Sequence, residues 1–277
     1  MDTTLSSRPE PTLRIGIIRE GKVPPDARVP LTPAHCVELM RRYPEVEVVV
    51  QPSAVRRIAD EEYREAGVRV EEDLASCSIL LGVKEVNKPD LLADKTYLFF
   101  SHTYKLQPYN AALLAAILAN RIRLIDYEML RRPSGKRIIG FGRWAGLVGA
   151  YNGFRAYGHR TGRYHLKPAT ECRDLKEMLA EATACISLPS EFKIVLTGSG
   201  RVGAGAKEVL DHLKLRRVHP EDFLRVSFPE PVYTQLEVED YNAHNEGKAF
   251  DMKEFKEDPT NFHSTFPRYA HAADLYM

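Results

Sequence analysis

Short, largely apolar runs alternate with stretches of helical periodicity along most of this chain. Residues 13–18 (LRIGII) and 46–50 (VEVVV) have strand length. Between them LTPAHCVELMRRY predicts a helix capped by Thr32, with Pro33 at its first position. DEEYREAG predicts a short helix closed by Gly67, and GVRV a further strand. Two runs within 79–105, SILLGVKEV and TYLFFSHTYK, are apolar on both faces and end abruptly in ionisable clusters. Strands of that kind belong to parallel sheets buried between helices. YNAALLAAILAN is rich in strong helix formers, and the strand RIRLIDYE follows it. Strand–helix alternation with short loops predicts a parallel α/β domain over residues 12–149.

A Gly- and aromatic-rich stretch starting at GKRIIGFG leads out of this domain, with residues 150–190 as a connecting segment. A second α/β unit is expected over 191–277. FKIVLTGSGRVGAGAKEVLDHL reads as strand, Gly-rich turn and helix, and FLRVSF as a second strand. Residues 237–267 are polar with weak periodicity, and ADLYM begins another strand. A complete dinucleotide domain has two βαβαβ halves, of which about one fits here. The expectation is therefore a partial NAD(P)-binding Rossmann domain, incomplete at its C-terminus, in a fragment of a longer protein.

Composition excludes little. With 277 residues and a net charge of +1, nothing draws the whole chain to nucleic acid or anionic membrane. From Pro220 onward 12 acids face 5 Lys and Arg, which argues further against nucleic acid. No apolar run approaches the ~20 residues of a membrane span. The first twelve residues have no apolar core, and read as a frayed leader rather than a signal peptide. Cys36, Cys77, Cys172 and Cys185 lack CxxC spacing, so neither metal nor disulfide framework is expected and a reducing cytoplasm is the simplest location.

The candidate chemistry lies at the strand ends, where parallel α/β sheets bind ligands. Lys84 and Glu85 end one apolar run, and His102, Tyr104 and Lys105 the other. Desolvation disfavours a charged ammonium, which suits a lysine at such a place to general-base work. Singly, Lys84 reads as a loop lysine and His102 as a structural histidine; at two strand ends together they read as an acid–base pair. Arg28 in DARVPLTP and Arg137 in GKRIIGFG offer guanidinium forks to carboxylates, and Lys22 and Glu128 are further ionisable groups near strand ends. Gly198, Ser199, Gly200, Arg201, Val202 and Gly203 form a GxGxxG turn between strand and helix, the context for a dinucleotide pyrophosphate. The acid that holds the ribose of NAD about 20 residues further on is not in place. Arg225 and Ser227 end the expected second strand and Glu230 follows a proline, so NADP is at least as plausible as NAD.

Taken together, ARVPLTP, QPSAVRRIADEEYREAG, ILLGVKEV, KTYLFFSHTYKLQ, RLIDYE and RIIGFGRWAG resemble the lysine-forming saccharopine dehydrogenases. The likeness is closer to the lysine–2-oxoglutarate reductase half of the bifunctional lysine-degrading enzyme, within the wider alanine dehydrogenase/transhydrogenase N-terminal domain superfamily. That resemblance implies two Rossmann-like domains with the substrate in the cleft between them. It implies reversible, NAD- or NADP-dependent conversion of saccharopine to lysine and 2-oxoglutarate, and possible pairing with a saccharopine-cleaving enzyme. It assigns acid–base roles to Lys84 and His102 and substrate carboxylates to Arg28 and Arg137. It places Lys105, Gln107 and Phe141 in the substrate cleft and Lys136 at a cofactor contact, with Glu85 and Glu128 tuning the charge. The alternatives are an alanine-dehydrogenase-like enzyme and a non-catalytic remnant that binds or regulates.

Overall fold

The computed structural model describes residues 13–277. The start of the first expected domain, at residue 12, and the expected leader lie outside them. The described chain forms two compact units, dividing between Gly140 and Phe141.

The first unit holds six strands: β1 (Leu13–Ile17), β2 (Val46–Val50), β3 (Arg69–Val70), β4 (Ile79–Leu81), β5 (Thr96–Phe99) and β6 (Arg123–Asp126). They form one sheet in the order β3-β2-β1-β4-β5-β6, every pairing parallel. The expected helices are α1 (Pro33–Arg42), α2 (Asp60–Glu65) and α3 (Ala111–Ala119). Thr32 caps α1 and Pro33 occupies its first turn, while Gly67 follows α2 in the left-handed region at φ 78°. Side chains along β2 alternate between two cores, as the two-residue strand period requires. Val48 and Val50 pack with Cys36 and Tyr63 on one face, and Val49 with Leu80, Tyr97, Phe99, Leu113 and Ile117 on the other. Each fully buried side chain of this size contributes roughly 1.5–3 kcal/mol, so burial on both faces holds strands as short as β4.

The apolar runs outlast their strands. SILLGVKEV is extended only over Ile79–Leu81, and TYLFFSHTYK only over Thr96–Phe99. The pairing nevertheless continues a little further: Gly82 donates to the Leu98 carbonyl at 2.9 Å and Phe100 to the Val83 carbonyl at 3.1 Å. Lys84 and His102 therefore leave the sheet from neighbouring strand tips at nearly the same level.

In the second unit, α4 (Gly142–Thr161) and α5 (Leu175–Cys185) precede β7 (Lys193–Thr197) and α6 (Arg201–His212). Then follow β8 (Arg216–Arg217), α7 (Pro220–Arg225), β9 (Val232–Leu236), β10 (Asn242–His244), α8 (Met252–Glu257), β11 (Phe262–Ser264), α9 (Pro267–Ala272) and β12 (Leu275–Tyr276). The order β12-β7-β9-β8 makes a second parallel sheet, with β10 and β11 as a separate antiparallel pair. Ile194 and Leu196 of β7 pack on Leu147, Phe154, Ala182 and Val209, and Val195 on the other face against Phe223, Val232 and Tyr269. Helices α4 and α6 meet backbone to backbone. A Cβ on Gly205 would lie 2.0 Å from the Arg143 carbonyl oxygen, and one on Gly146 1.9 Å from that of Val202.

One expected strand is a helix. FLRVSF (223–228) is expected to follow α6 as the second strand, but its first three residues end α7 (Pro220–Arg225) and residues 226–228 belong to no strand. The start signal lies just upstream: His219 accepts from the Glu221 N–H, Pro220 takes the first turn and two acids follow. The strand beside β7 is instead VYTQL, in register from Lys193↔Val232 to Thr197↔Leu236. The terminal LY of ADLYM does extend the sheet, as β12.

Candidate functional site

Two groups of ionisable side chains stand at the carboxyl ends of the first sheet. Beyond β1, Glu20 turns its carboxylate towards the tip of β4 and accepts from the N–H groups of Val83 at 2.6 Å and Lys84 at 2.9 Å. Burial raises its pKa, and those two donors act against the rise. Lys22 pairs with Glu85 at 3.1 Å. Arg28 reaches Asp26 through two nitrogens, at 2.9 and 2.6 Å, and this bonding holds the Asp26 carboxyl below its ordinary range. Lys84 is half-buried, its backbone is held by Glu20, and its charge acts on Asp26.

The second group forms around Glu128, at the end of β6. One carboxylate oxygen accepts from Arg137 at 2.7 Å; the other faces Lys105 at 3.0 Å and the His102 Nδ1 at 3.1 Å. Burial alone would raise the Glu128 carboxyl, but hydrogen bonds from Lys105, His102 and Tyr104 outweigh it and bring its pKa down to about 2. His102 sits in the left-handed region at φ 57°, a strained conformation for a residue with a side chain. Asp126, the last residue of β6, holds it there. Its Oδ2 accepts from the Ser101 N–H at 3.0 Å, the Ser101 hydroxyl at 2.6 Å and the His102 N–H at 2.9 Å.

The structure thus joins His102, Lys105, Glu128 and Arg137 in one cluster; on the adjoining side Lys84 and Arg28 share Asp26 and Glu20, while Lys22 pairs with Glu85. Gln107 lies apart on an exposed turn, and Lys136 on the exposed hairpin closed by Arg131 and Arg137. Phe141 heads α4 in the second unit. A cavity of about 660 Å³ is lined by Lys22, Glu85, Asn87, Lys88, Tyr109 and Asn110 among others, but not by Lys84 or His102. Glu20, Asp26 and Asp126 were missed from sequence. The only signal was their position at or beyond strand ends, Glu20 and Asp26 in the loop after β1 and Asp126 as the last residue of β6.

In the second unit the Gly-rich turn fits a dinucleotide. Gly198 has φ 81°, and neither it nor Gly200 has an atom within 4 Å of a built Cβ, so the turn presents open backbone. At Gly203 a Cβ would lie 2.0 Å from the Gly198 carbonyl oxygen, so this glycine lets α6 pack against the turn. Arg225 and Ser227 are not near it. Lys193, the first residue of β7, donates to the carbonyls of Phe223 and Val226, and the Ser227 hydroxyl to Glu191. They lie at the amino end of the strand, roughly 16 Å of strand length from the turn. Directly beyond β9 stands Glu237, whose Oε2 accepts from the Ser199 hydroxyl at 2.9 Å.

Two α/β units, the second with a glycine-rich strand–turn–helix, define a Rossmann-like α/β protein. Residues 16–148 match the family described as "Alanine dehydrogenase/PNT, N-terminal domain". The chain is 35% identical over 261 residues to the mitochondrial alpha-aminoadipic semialdehyde synthase of Rattus norvegicus, an alignment covering 87% of this chain and 28% of that protein. The Arabidopsis thaliana alpha-aminoadipic semialdehyde synthase is 33% identical over 228 residues, 74% of this chain and 21% of the relative. A saccharopine dehydrogenase [NAD(+), L-lysine-forming] of Emericella nidulans is 30% identical over 139 residues, 48% of this chain and 36% of the relative. The chain therefore spans between about a fifth and just over a third of these relatives' length. Among solved structures, an L-alanine dehydrogenase shares the fold at a TM-score of 0.53 and 17% identity, over 80% of this chain and 60% of that one. A transhydrogenase from Sinorhizobium meliloti does so at 0.53 and 18%, over 81% and 56%. Among the described residues no helix is long and apolar enough to cross a membrane.

Proposed function

We propose that the chain is part of an NAD(P)-dependent oxidoreductase of the lysine-forming saccharopine dehydrogenase type, or the equivalent lysine–2-oxoglutarate reductase. The observation that carries this reading is the pair of ionisable clusters at the tips of β4 and β5, in a chain 35% identical to a semialdehyde synthase of the same family resemblance. Joining an amine to a keto acid passes through a carbinolamine and an imine, and each step needs a proton moved. Lys84 takes the proton from the attacking amine. His102, oriented by Glu128 and Asp126, delivers a proton to the departing hydroxyl of the carbinolamine.

The substrates carry three carboxylates, which suit the forks of Arg28 and Arg137. In the free protein Asp26 and Glu128 neutralise these arginines, and an arriving carboxylate shares or replaces that pairing. Lys22, Lys105, Gln107 and Phe141 line the substrate, and Glu85 and Glu128 set the charge around it. Gly198, Ser199, Gly200, Arg201, Val202 and Gly203 would hold the cofactor pyrophosphate, with Lys136 as a further cofactor contact. The nicotinamide cofactor, when bound, supplies or accepts the hydride.

The test is oxidation of NADH or NADPH by the full-length protein. Turnover that needs lysine and 2-oxoglutarate together supports the reading. Turnover with pyruvate and ammonia moves the protein to the alanine dehydrogenase class, which the family of residues 16–148 equally accommodates. Failure to oxidise either cofactor with any of these substrates, and to bind either, leaves a non-catalytic remnant.

A further inference from the structure

The cavity of about 660 Å³ in the first unit is lined by neither Lys84 nor His102, and it holds an unpartnered donor. Asn110 lines it and is only 4% exposed, yet its Nδ2 has no hydrogen-bond partner among the described residues. An asparagine directly before a helix ordinarily turns its side-chain oxygen onto the first N–H groups. Here Asn110 has helical angles, φ −89° and ψ −8°, and its side chain makes no such bond with α3. A buried polar group left without a partner costs stability, and native interiors hold very few of them. A donor so placed is satisfied when a ligand brings the acceptor. Another wall is the turn Lys88–Asp90, with Asn87 leading into it. Asn87 fastens this turn, donating to the Gly21 carbonyl at 3.4 Å and to Asp90 Oδ2 at 3.3 Å. Lys22 and Glu85 neutralise one another at 3.1 Å. That leaves one cation in the lining, Lys88, without an ion pair among the described residues, and one anion, Asp90. Val23 and Tyr109 add apolar surface that is 87% and 67% exposed.

We infer that this cavity binds a free α-amino acid at a place separate from the reacting centre. Lys88 and the Asn110 Nδ2 take the carboxylate, Asp90 takes the ammonium, and Val23 and Tyr109 cover the side chain. Hydrogen bonds to charged groups are the strong ones, and each end of a zwitterion finds such a partner here. A change of rotamer at Asn110 turns Nδ2 onto the bound carboxylate at small cost, since no hydrogen bond holds that nitrogen where it is. The cavity volume lies within the range of small-molecule sites, and its make-up of apolar surface with a few polar groups is theirs too. A plain carboxylic acid offers nothing to Asp90 and a plain amine nothing to Lys88, so the zwitterion is selected over both. The site uses none of Lys84, His102, Arg28 and Arg137, and so does not depend on the reaction proposed above. It adjoins the reacting centre through Lys22 and Glu85.

The experiment is a calorimetric titration of the full chain with L-leucine, with isocaproate, which lacks its ammonium, and with isoamylamine, which lacks its carboxylate. L-leucine is expected to bind saturably to one site, and the other two at least roughly tenfold more weakly, each having lost a charge-assisted contact. Asn110→Asp sets a carboxylate against the ligand's own and Asp90→Asn removes the anion, so each should weaken L-leucine by a similar factor. Asn110→Leu should abolish binding and raise the thermal midpoint by roughly 2 °C or more, because the unpartnered donor is gone. A fold made firmer while the ligand is lost is the outcome that a merely structural asparagine would not give. Lys84→Met should bind L-leucine as the parent does. No binding of L-leucine by the parent, or equal binding of isocaproate, would overturn the inference. So would binding that survives Asn110→Leu, or that disappears in Lys84→Met and thereby falls to the reacting centre. None of these readouts needs turnover, so failure here leaves the proposed reaction standing.

Discussion

Glu128 and Arg137 are joined at 2.7 Å, and the same carboxylate also gathers Lys105 and His102. Three basic side chains from two neighbouring strand ends thus converge on one acid that is only 10% exposed. The cluster is held by a charge that must stay ionised, and its acid response follows from that. A carboxyl lowered from an ordinary 4.5 to about 2 stabilises the fold fully above 4.5, and the contribution fades as pH falls through the lowered value. The first unit should therefore lose stability between about pH 4.5 and 2. Urea midpoints at pH 7 and pH 3 should fall further apart in the parent than in Glu128→Gln, which has no such group to titrate. Equal differences in the two proteins would refute this.

Asp126 makes no proposed substrate contact, yet it accepts from three backbone N–H groups, those of Ser101, His102 and Glu128, and from the Ser101 hydroxyl. Asp126→Ala leaves buried donors without acceptors. It should destabilise the protein by roughly 3 kcal/mol, read from urea unfolding. Turnover should fall more than nucleotide binding, because His102 loses the support for its left-handed backbone.

Lys84→Met should abolish turnover in the full-length parent and leave nucleotide affinity as it was. The side chain is half-buried and no helix or sheet bond depends on it, so the fold tolerates an apolar chain of similar length. A variant that turns over normally would remove Lys84 from its assigned role.

Glycines in α4 and α6 should respond in opposite directions. Gly205→Ala drives a methyl into the Arg143 carbonyl and should cost roughly 3 kcal/mol or more, since backbone cannot yield as a side chain does. Gly149 has nothing within 4 Å of its built Cβ, and in a helix interior Gly149→Ala should stabilise by up to about 1 kcal/mol. Thermal unfolding of the two variants distinguishes packing from mere composition.

Local chemistry carried much of this fold. Thr32 and Pro33 announced α1, Gly67 closed α2, and the two-faced apolar runs announced buried parallel strands, because caps, turns and periodicity act between residues a few positions apart. The Gly198–Gly203 turn was legible for the same reason. FLRVSF misled because its apolar spacing suits a strand, while the His219–Pro220 start signal decided for a helix.

What sequence could not determine was pairing over long separations. Nothing near Glu237 marks β9 as the neighbour of β7, or places its carboxylate on Ser199, since that depends on which strand docks once α7 has formed. Nor could it show that Arg137, Lys105 and His102 share the single carboxylate of Glu128. Residue types and strand ends were set by the sequence alone. Which charges compensate one another was decided by strand order, since that brings loops distant in the chain to the same edge of the sheet.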